Sequence, residues 1–144
     1  MTSKTTTATE ALNMLNQGAP LCGASAIFEI KDNGDWYYRG GKLPLKFSKL
    51  FASILHRVEG QYYLITPVEK LKVEVITEAL VMVDYDAKLS GSFALISSIG
   101  TEHELASFDG FIVTDDKIVL QLERGVVAKL NRACFYRFIN EFIA

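Results

Sequence analysis

Residues 36–44, WYYRGGKLP, are the segment of the chain from which a fold can be derived. Trp36-Tyr37-Tyr38-Arg39 has the aromatic composition of a strand, and the glycines and proline that follow indicate a turn. In the next run, Lys46–Arg57, apolar side chains recur at helical spacing on one face, and the opposite face is polar and mainly basic. The apolar face consists of Phe47, Leu50, Phe51, Ile54 and Leu55, and the polar face of Lys46, Lys49, Ser53 and Arg57. The segment therefore predicts a strand, a turn and an amphipathic helix.

The same plan recurs near the C-terminus. Lys117–Leu122 has the pattern of a strand, a turn follows at Gly125, and Val126–Ile143 is a second amphipathic run. Adding 83 to a residue number places Phe47 on Leu130, since 47 + 83 = 130, and also aligns further apolar positions of the two runs. The repeat predicts two related halves, residues 1–66 and 67–144, that meet near residues 66–70. Each half would contain antiparallel strands and a helix, in an α+β fold.

Alternating and turn-bounded segments supply the other predicted elements. Asp32-Asn33-Gly34 predicts a hairpin turn, Thr7-Ala8-Thr9-Glu10 has the form of a helix-capping box, and Gly100–Glu104 has the composition of a loop. The predicted strands are Ala24–Lys31, Asp35–Arg39, Gln61–Thr66, Lys70–Ile76, Ala79–Asp86, Ser92–Ser97 and Ser107–Thr114. An antiparallel meander followed by a C-terminal helix is loosely pleckstrin-homology-like, which is a likeness of architecture and not of function.

Composition limits the class of protein. In 144 residues, 49% are hydrophobic, which is enough to fill a core, yet no apolar run is as long as a membrane span requires. The net charge of −2 divides into +2 over residues 1–70 and −4 over residues 71–144, which argues against a nucleic-acid binder. Cys22 and Cys134 have no metal or redox spacing, and Met1–Ala8 has no apolar signal core. We expect a cytoplasmic protein without a membrane span or cofactor.

Asn131 is the least expected residue of the C-terminal run. It falls within the apolar stripe that Val127, Cys134 and Phe138 define at helical spacing. A buried amide needs hydrogen-bond partners, so we predict that Asn131 bonds to the segment Thr66–Lys70, where Pro67 ends a strand. Arg132 would then pair with Glu69, leaving Lys70 or Arg132 to meet an anion. The plainer interpretation, which we favour, is that Asn131 and Arg132 tie the helix to nearby loops.

No acidic residue occurs between Asp35 and Glu59, although that segment contains several basic ones. They are Arg39, Lys42, Lys46, Lys49 and Arg57. This distribution would suit a phosphate, a nucleotide or an acidic protein segment, but a solvated helix face is the commoner explanation. No phosphate-binding glycine motif accompanies it. His56 and His103 lack metal-ligand spacing, and there is no G-x-S-x-G motif, so no sequence feature supports an enzyme.

Several segments in order resemble one bacterial family, the domain of unknown function 1285. They are Pro20–Gly23, Asp35–Gly40, Lys49–Leu55, Tyr62–Lys70 and Asn131–Tyr136, so the resemblance covers about residues 20–140. Its most specific parts are Thr66-Pro67-Val68-Glu69-Lys70 and Asn131-Arg132-Ala133-Cys134-Phe135-Tyr136. The resemblance implies two related α+β halves with a ligand-binding cleft between them and a role in signalling. It implies no particular activity or ligand.

The leading hypothesis is a non-catalytic binding or regulatory module whose site lies where the halves meet. We predict its ligand-binding residues to be Trp36, Arg39, Thr66, Glu69, Lys70, Asn131 and Arg132. The partner would be a small anionic ligand or a protein, and the chain a monomer or weak homo-oligomer. The alternative is a small enzyme acting on an anionic metabolite through Arg132, Lys70 and Glu69. A structural partner in a complex is a third possibility.

Overall fold

The computed structural model describes residues 28–143, which form two six-stranded sheets, two α-helices and shorter helical turns. This α+β architecture confirms the predicted fold class. Its pleckstrin-homology-like character stays a prediction. The capping box at Thr7, Cys22 and the start of the strand Ala24–Lys31 lie outside the described residues.

The first sheet contains two three-stranded meanders joined edge to edge. Its strands are β1 (Phe28–Ile30), β2 (Trp36–Tyr38), β3 (Gly41–Lys42), β4 (Leu55–Val58), β5 (Gln61–Ile65) and β6 (Lys70–Val75). Their spatial order is β3-β2-β1-β6-β5-β4, and β1 pairs with β6 in parallel, with Phe28 opposite Val73. The predicted hairpin turn joins β1 to β2, and Gly34 has a φ of 90° there. This left-handed conformation explains the preference for glycine.

The second sheet has the same arrangement. Its strands are β7 (Leu80–Ala87), β8 (Phe93–Ser97), β9 (Glu102–Leu105), β10 (Phe111–Val113), β11 (Ile118–Gln121) and β12 (Val127–Leu130). In space they run β9-β8-β7-β12-β11-β10, and β12 pairs with β7 in parallel, with Ala128 opposite Leu80. The first and last strands of each sheet are therefore its central parallel pair, and the two halves are similar.

Both helices are shorter than the sequence predicted. Helix α1 spans Leu45–Ala52 and helix α2 spans Arg132–Phe138, with a π-helical turn at Ile139–Ile143. Residues 55–57 and 127–130, which were predicted as helix, belong to strands β4 (Leu55–Val58) and β12 (Val127–Leu130). Each has apolar spacing that suits a helix. In the structure, however, β4 pairs with β5, and β12 pairs with β7 and β11, so their backbone groups are satisfied in a sheet.

Three further expectations need correction. The offset of 83 is wrong, because α1 lies between the third and fourth strands of its sheet, whereas α2 follows the last strand of the other. The predicted boundary near residues 66–70 does not match the change of sheet. The chain passes from the first sheet to the second at residues 76–79, and the strand starting at Lys70 belongs to the first sheet. Residues 102–104 are not a loop but part of β9, which pairs with β8. Whether the halves are separate domains stays a prediction.

A continuous apolar core joins both sheets and both helices. Trp36 of β2 and Phe51 of α1 are fully buried. Phe138 is fully buried where α2 packs against the second sheet. Cys134 is also buried, as predicted, and burial raises the pKa of its thiol, which keeps the thiol in its unreactive protonated form. None of the described helices is long and apolar enough to cross a membrane.

Candidate functional site

A cleft of about 760 Å³ lies between α1 and the second sheet. Its basic side chains are Lys46, Lys49 and Arg124, and its acidic ones are Glu102 and Glu123. Leu50 and Ala52 give it an apolar surface, and Ser53, Gly100, Thr101 and His103 complete its lining. It is therefore a mixed site, with one more basic than acidic side chain if His103 is neutral.

The amphipathic pattern of α1 places two lysines on the cleft. Phe51 and Ala52 of this helix face the core, and Lys46 and Lys49 are exposed. The turn before β9 comes close to the second lysine, since a Cβ added at Gly100 would lie 3.8 Å from Lys49 Nζ. Gly100 has a left-handed φ of 88°, and this backbone conformation favours glycine, although the contact itself is of ordinary van der Waals length. The exposure of Lys46 and Lys49 confirms part of the predicted basic face.

Arg57, the third basic residue of that face, lies elsewhere. It is half-buried on β4, and its Nε donates a hydrogen bond of 2.8 Å to the carbonyl oxygen of Gly125. A Cβ at Gly125 would lie 3.1 Å from the Arg57 carbonyl oxygen, so the close approach requires glycine. Tyr62 makes a second contact between the sheets, because its hydroxyl accepts a 3.0 Å hydrogen bond from Val127 N. Arg57 therefore joins the two sheets.

Arg124 makes the reciprocal contact and forms one wall of the cleft. Its Nε donates to the Leu55 carbonyl at 2.9 Å, and its Nη2 donates to the Ala52 carbonyl at 3.0 Å. Carbonyls at the end of a helix lack intrahelical donors, so the guanidinium satisfies the Ala52 carbonyl that the end of α1 leaves open, and it also bonds to the start of β4 at Leu55. The backbone of Arg124 has a left-handed φ of 62° in the turn between β11 and β12. Its Nη1 makes no hydrogen bond within residues 28–143 and remains available to the cleft.

Among the titratable residue types of the cleft, histidine has the ordinary pKa closest to 7, and His103 is the histidine that lines it. Its Nε2 lies 2.8 Å from the Thr101 hydroxyl, and its Nδ1 lies 3.6 Å from Glu123 Oε1. Burial lowers the pKa of His103 below its ordinary value of 6.5, against a smaller opposing effect of Glu123. The imidazole is therefore mainly neutral at pH 7.

The Thr66–Lys70 segment, predicted to bind a ligand, forms the turn between β5 and β6. The Thr66 hydroxyl accepts hydrogen bonds from Val68 N at 3.3 Å and Glu69 N at 3.0 Å, so it stabilises the turn itself. Lys70 Nζ lies 4.4 Å from the centre of the Tyr63 ring. None of these residues lines the cleft.

Trp36 and Arg39, the predicted ligand residues of the N-terminal part, also lie outside the cleft. Trp36 is fully buried in the core. Arg39 is exposed, and its Nε donates to the Tyr38 hydroxyl at 3.0 Å. Their roles in ligand binding stay predictions without support from the geometry.

Asn131 is not in a buried helical stripe, and that expectation is wrong. It is half-buried at the N-cap of α2, where its Oδ1 accepts a 2.8 Å hydrogen bond from Cys134 N. Its own backbone N donates to the Met82 carbonyl at 2.8 Å, not to the Thr66–Lys70 segment. Arg132 is exposed and stacks on the Tyr136 ring, 5.8 Å from its centre. No contact within residues 28–143 joins Arg132 to Glu69.

We expect Asn131→Ala to lower the free energy of unfolding by about 1 kcal/mol, because a helix N-cap loses its side-chain acceptor. Asn131→Asp is the matched control, since aspartate caps a helix as well as asparagine does. Urea unfolding curves of the two variants check this. Equal losses in both would contradict the capping role.

Sequence reasoning missed the residues that shape the cleft, namely Thr101, His103, Glu123 and Arg124. A signal was available for two of them. Thr101 and His103 are two residues apart at the start of β9, a spacing typical of one strand face, and the loop assignment of Gly100–Glu104 concealed it. Arg124 precedes a glycine in a turn, but no local pattern indicates that it reaches α1.

Comparisons with known proteins identify the family of this chain. Residues 16–77 match the family described as domain of unknown function (DUF1285), N-terminal domain. A DUF1285 family protein from Shewanella baltica OS155, known from a crystal structure, is 47% identical in sequence to this chain. The match has a TM-score of 0.76 and covers 81% of this chain and 93% of that chain. The chain belongs to the DUF1285 family.

A second DUF1285 family structure, from Silicibacter pomeroyi DSS-3, is 25% identical to this chain. The match has a TM-score of 0.69 and covers 84% of this chain and 72% of that chain. No curated protein matches the chain. Membership of DUF1285 therefore confirms the family to which the sequence segments pointed, and it brings no assigned activity.

Proposed function

We propose that this DUF1285 protein is a non-catalytic binding module that takes a small anionic ligand in the cleft between α1 and the second sheet. The observation that carries the proposal is the convergence of Lys46, Lys49 and Arg124 on one cleft of about 760 Å³. Sites of this volume suit a small molecule. Helix α1 of the first half and residues of the second half supply the lining, so ligand binding would also report on how the two halves are held together.

The two lysines support an anionic ligand because their charges are not neutralised locally. Neither Lys46 nor Lys49 has an ion pair within residues 28–143, and both are exposed residues on the side of the cleft that α1 forms. Unpaired like charges in one concave site raise the local concentration of anions. Leu50 and Ala52 beside them would contact an apolar part of the same ligand.

The contacts of the cleft favour binding over catalysis. The Thr101 hydroxyl next to His103 also lies 2.5 Å from the Ser97 hydroxyl, and Thr101 N donates to Ser97 at 3.1 Å, so this group closes the β8–β9 hairpin. The residues of the enzyme alternative, Glu69, Lys70 and Arg132, do not line the cleft. A signalling role in the cytoplasm is the context we propose, and the shared strand order of the two sheets supports an origin by duplication.

We expect Lys46→Glu combined with Lys49→Glu to weaken the binding of sulfate about tenfold or more, because both cationic groups of α1 become anionic. Stability should change by no more than about 0.5 kcal/mol per substitution, because both side chains are exposed. Isothermal titration calorimetry with sulfate measures the first effect, and thermal unfolding without sulfate measures the second.

The matched control is Lys72→Glu with Lys88→Glu, which makes the same change in net charge at two exposed lysines outside the cleft. Sulfate binding should fall by less than about twofold in this control. Equal weakening in the two double variants would show that net charge, not the cleft, governs binding and would refute the proposal. Native mass spectrometry of protein purified from its own cells would then identify a retained ligand.

A further inference from the structure

Glu123 is an acidic residue placed against the basic groups of the cleft. It lies in the helical turn between β11 and β12, and its side chain is 56% exposed. The same oxygen, Oε1, is 3.6 Å from His103 Nδ1 and 3.9 Å from Arg124 Nη1. Both distances exceed those of a direct hydrogen bond. The carboxylate is therefore attracted to both nitrogens without being held by either.

The two nitrogens that face Glu123 lack other partners. Arg124 uses Nε and Nη2 on backbone carbonyls, which leaves Nη1 directed to the cleft. His103 Nδ1 is buried and has no hydrogen-bond partner within residues 28–143. A buried nitrogen of this kind gains more from an acceptor than an exposed one would.

A chain of hydroxyls makes His103 Nδ1 a donor. The Ser97 hydroxyl lies 2.5 Å from the Thr101 hydroxyl, which lies 2.8 Å from His103 Nε2. If Ser97 donates to Thr101 and Thr101 donates to Nε2, the single proton of the neutral imidazole sits on Nδ1. In the reverse orientation the hydrogen of the Ser97 hydroxyl would have no acceptor in the described part of the chain, although Ser97 is only 2% exposed. The first arrangement is therefore favoured, and it directs an N–H towards Glu123.

We propose that Glu123 is a built-in competitor, whose carboxylate occupies the position that the ligand's anionic group takes between His103 Nδ1 and Arg124 Nη1. This rests on the proposed function, and it deepens that function by locating the anionic subsite. A free carboxylate, phosphate or sulfate group is not tethered to the turn, so it would approach both donors at hydrogen-bonding distance and displace Glu123. The ligand class is thus a small molecule with one compact oxyanion and an apolar part.

Protonation of His103 would strengthen this subsite. The charged groups around it are Glu123 and Arg124 from the turn, Lys46 and Lys49 from α1, and Glu102 on its own strand. Since the neutral form prevails at pH 7, lowering the pH adds a positive charge beside the bound oxyanion. Affinity for sulfate, whose own charge is constant in this range, should therefore rise as the pH falls below about 6.5.

The decisive test measures sulfate affinity of the intact chain by calorimetry at about pH 7.5 in wild type, Glu123→Gln and Glu102→Gln. Both variants remove one negative charge from the cleft, but only Glu123 lies against His103 and Arg124. Glu123→Gln should bind sulfate about three- to tenfold more tightly than wild type, and Glu102→Gln less than about twofold more tightly. Equal gains in both variants would overturn the inference but leave the proposed function intact, provided that Lys46→Glu with Lys49→Glu still weakens binding as expected.

A second measurement separates competition from a structural effect. Nitrogen-15 NMR of the two histidine rings follows His103, with His56 as an internal reference that lies outside the cleft. The pKa of His103 should fall in Glu123→Gln, and saturating sulfate should raise it again, because one anion replaces another. If sulfate leaves the pKa of His103 unchanged while it binds through the lysines, the subsite is misplaced. If sulfate does not bind any of the variants, the proposed function fails as well.

Discussion

Replacing Trp36 with alanine is expected to lower the free energy of unfolding by about 3–5 kcal/mol, the usual cost of removing a large aromatic side chain from a core. Trp36 is fully buried, and its ring centre lies 6.3 Å from that of Phe51 on α1. The side chain thus connects β2 with the helix that carries the two cleft lysines. The loss should appear in urea unfolding as a lower midpoint with little change in the slope.

Trp36→Phe is the matched control for this prediction. It keeps an aromatic ring near Phe51, and the indole Nε1 that it removes has no hydrogen-bond partner within residues 28–143. We therefore expect a loss of about 1–2 kcal/mol, mainly from the smaller volume. Sulfate affinity of the folded fraction should be unchanged in both variants. A Trp36→Ala protein of normal stability that no longer binds sulfate would instead restore Trp36 as a ligand residue.

Arg124→Ala should lower the free energy of unfolding by about 2–3 kcal/mol, because two charge-assisted hydrogen bonds are lost and their acceptors are left unsatisfied. Those acceptors are the carbonyls of Ala52 and Leu55, which belong to the last part of α1 and the start of β4. The substitution also removes one wall of the cleft and a donor of the anionic subsite. Thermal unfolding and sulfate titration of the same sample measure both effects.

Arg39→Ala is the control that isolates these contacts. Arg39 and Arg124 both have left-handed backbones, with φ of 50° and 62°, so alanine meets similar backbone strain at either position. Arg39 is exposed and donates only to a neighbouring tyrosine within the described residues, so its loss should cost no more than about 0.5 kcal/mol. A similar cost at the two positions would show that backbone strain, and not the guanidinium contacts, sets the effect at Arg124.

Local signals in the sequence determined the elements whose structure depends on near neighbours. Asp32-Asn33-Gly34 formed the predicted hairpin turn, because its conformation is set by the residues of the turn itself. The first two turns of α1 followed from apolar spacing, and this same spacing exposed Lys46 and Lys49. The alternation of apolar and polar residues likewise predicted most strands of both sheets. The lysine half of the candidate site was therefore predictable.

Only the tertiary structure decided the elements whose backbone partners are remote in the chain. Leu55–Val58 and Val127–Leu130 have helical apolar spacing, yet each is a strand because a neighbouring strand supplies its hydrogen bonds. Asn131 consequently caps a helix that begins later than expected. The other half of the site depends on Arg124 reaching carbonyls about 70 residues earlier, as Leu55 and Arg124 are separated by 69 positions. No local pattern encodes such a contact, since it forms only when the two sheets have packed together.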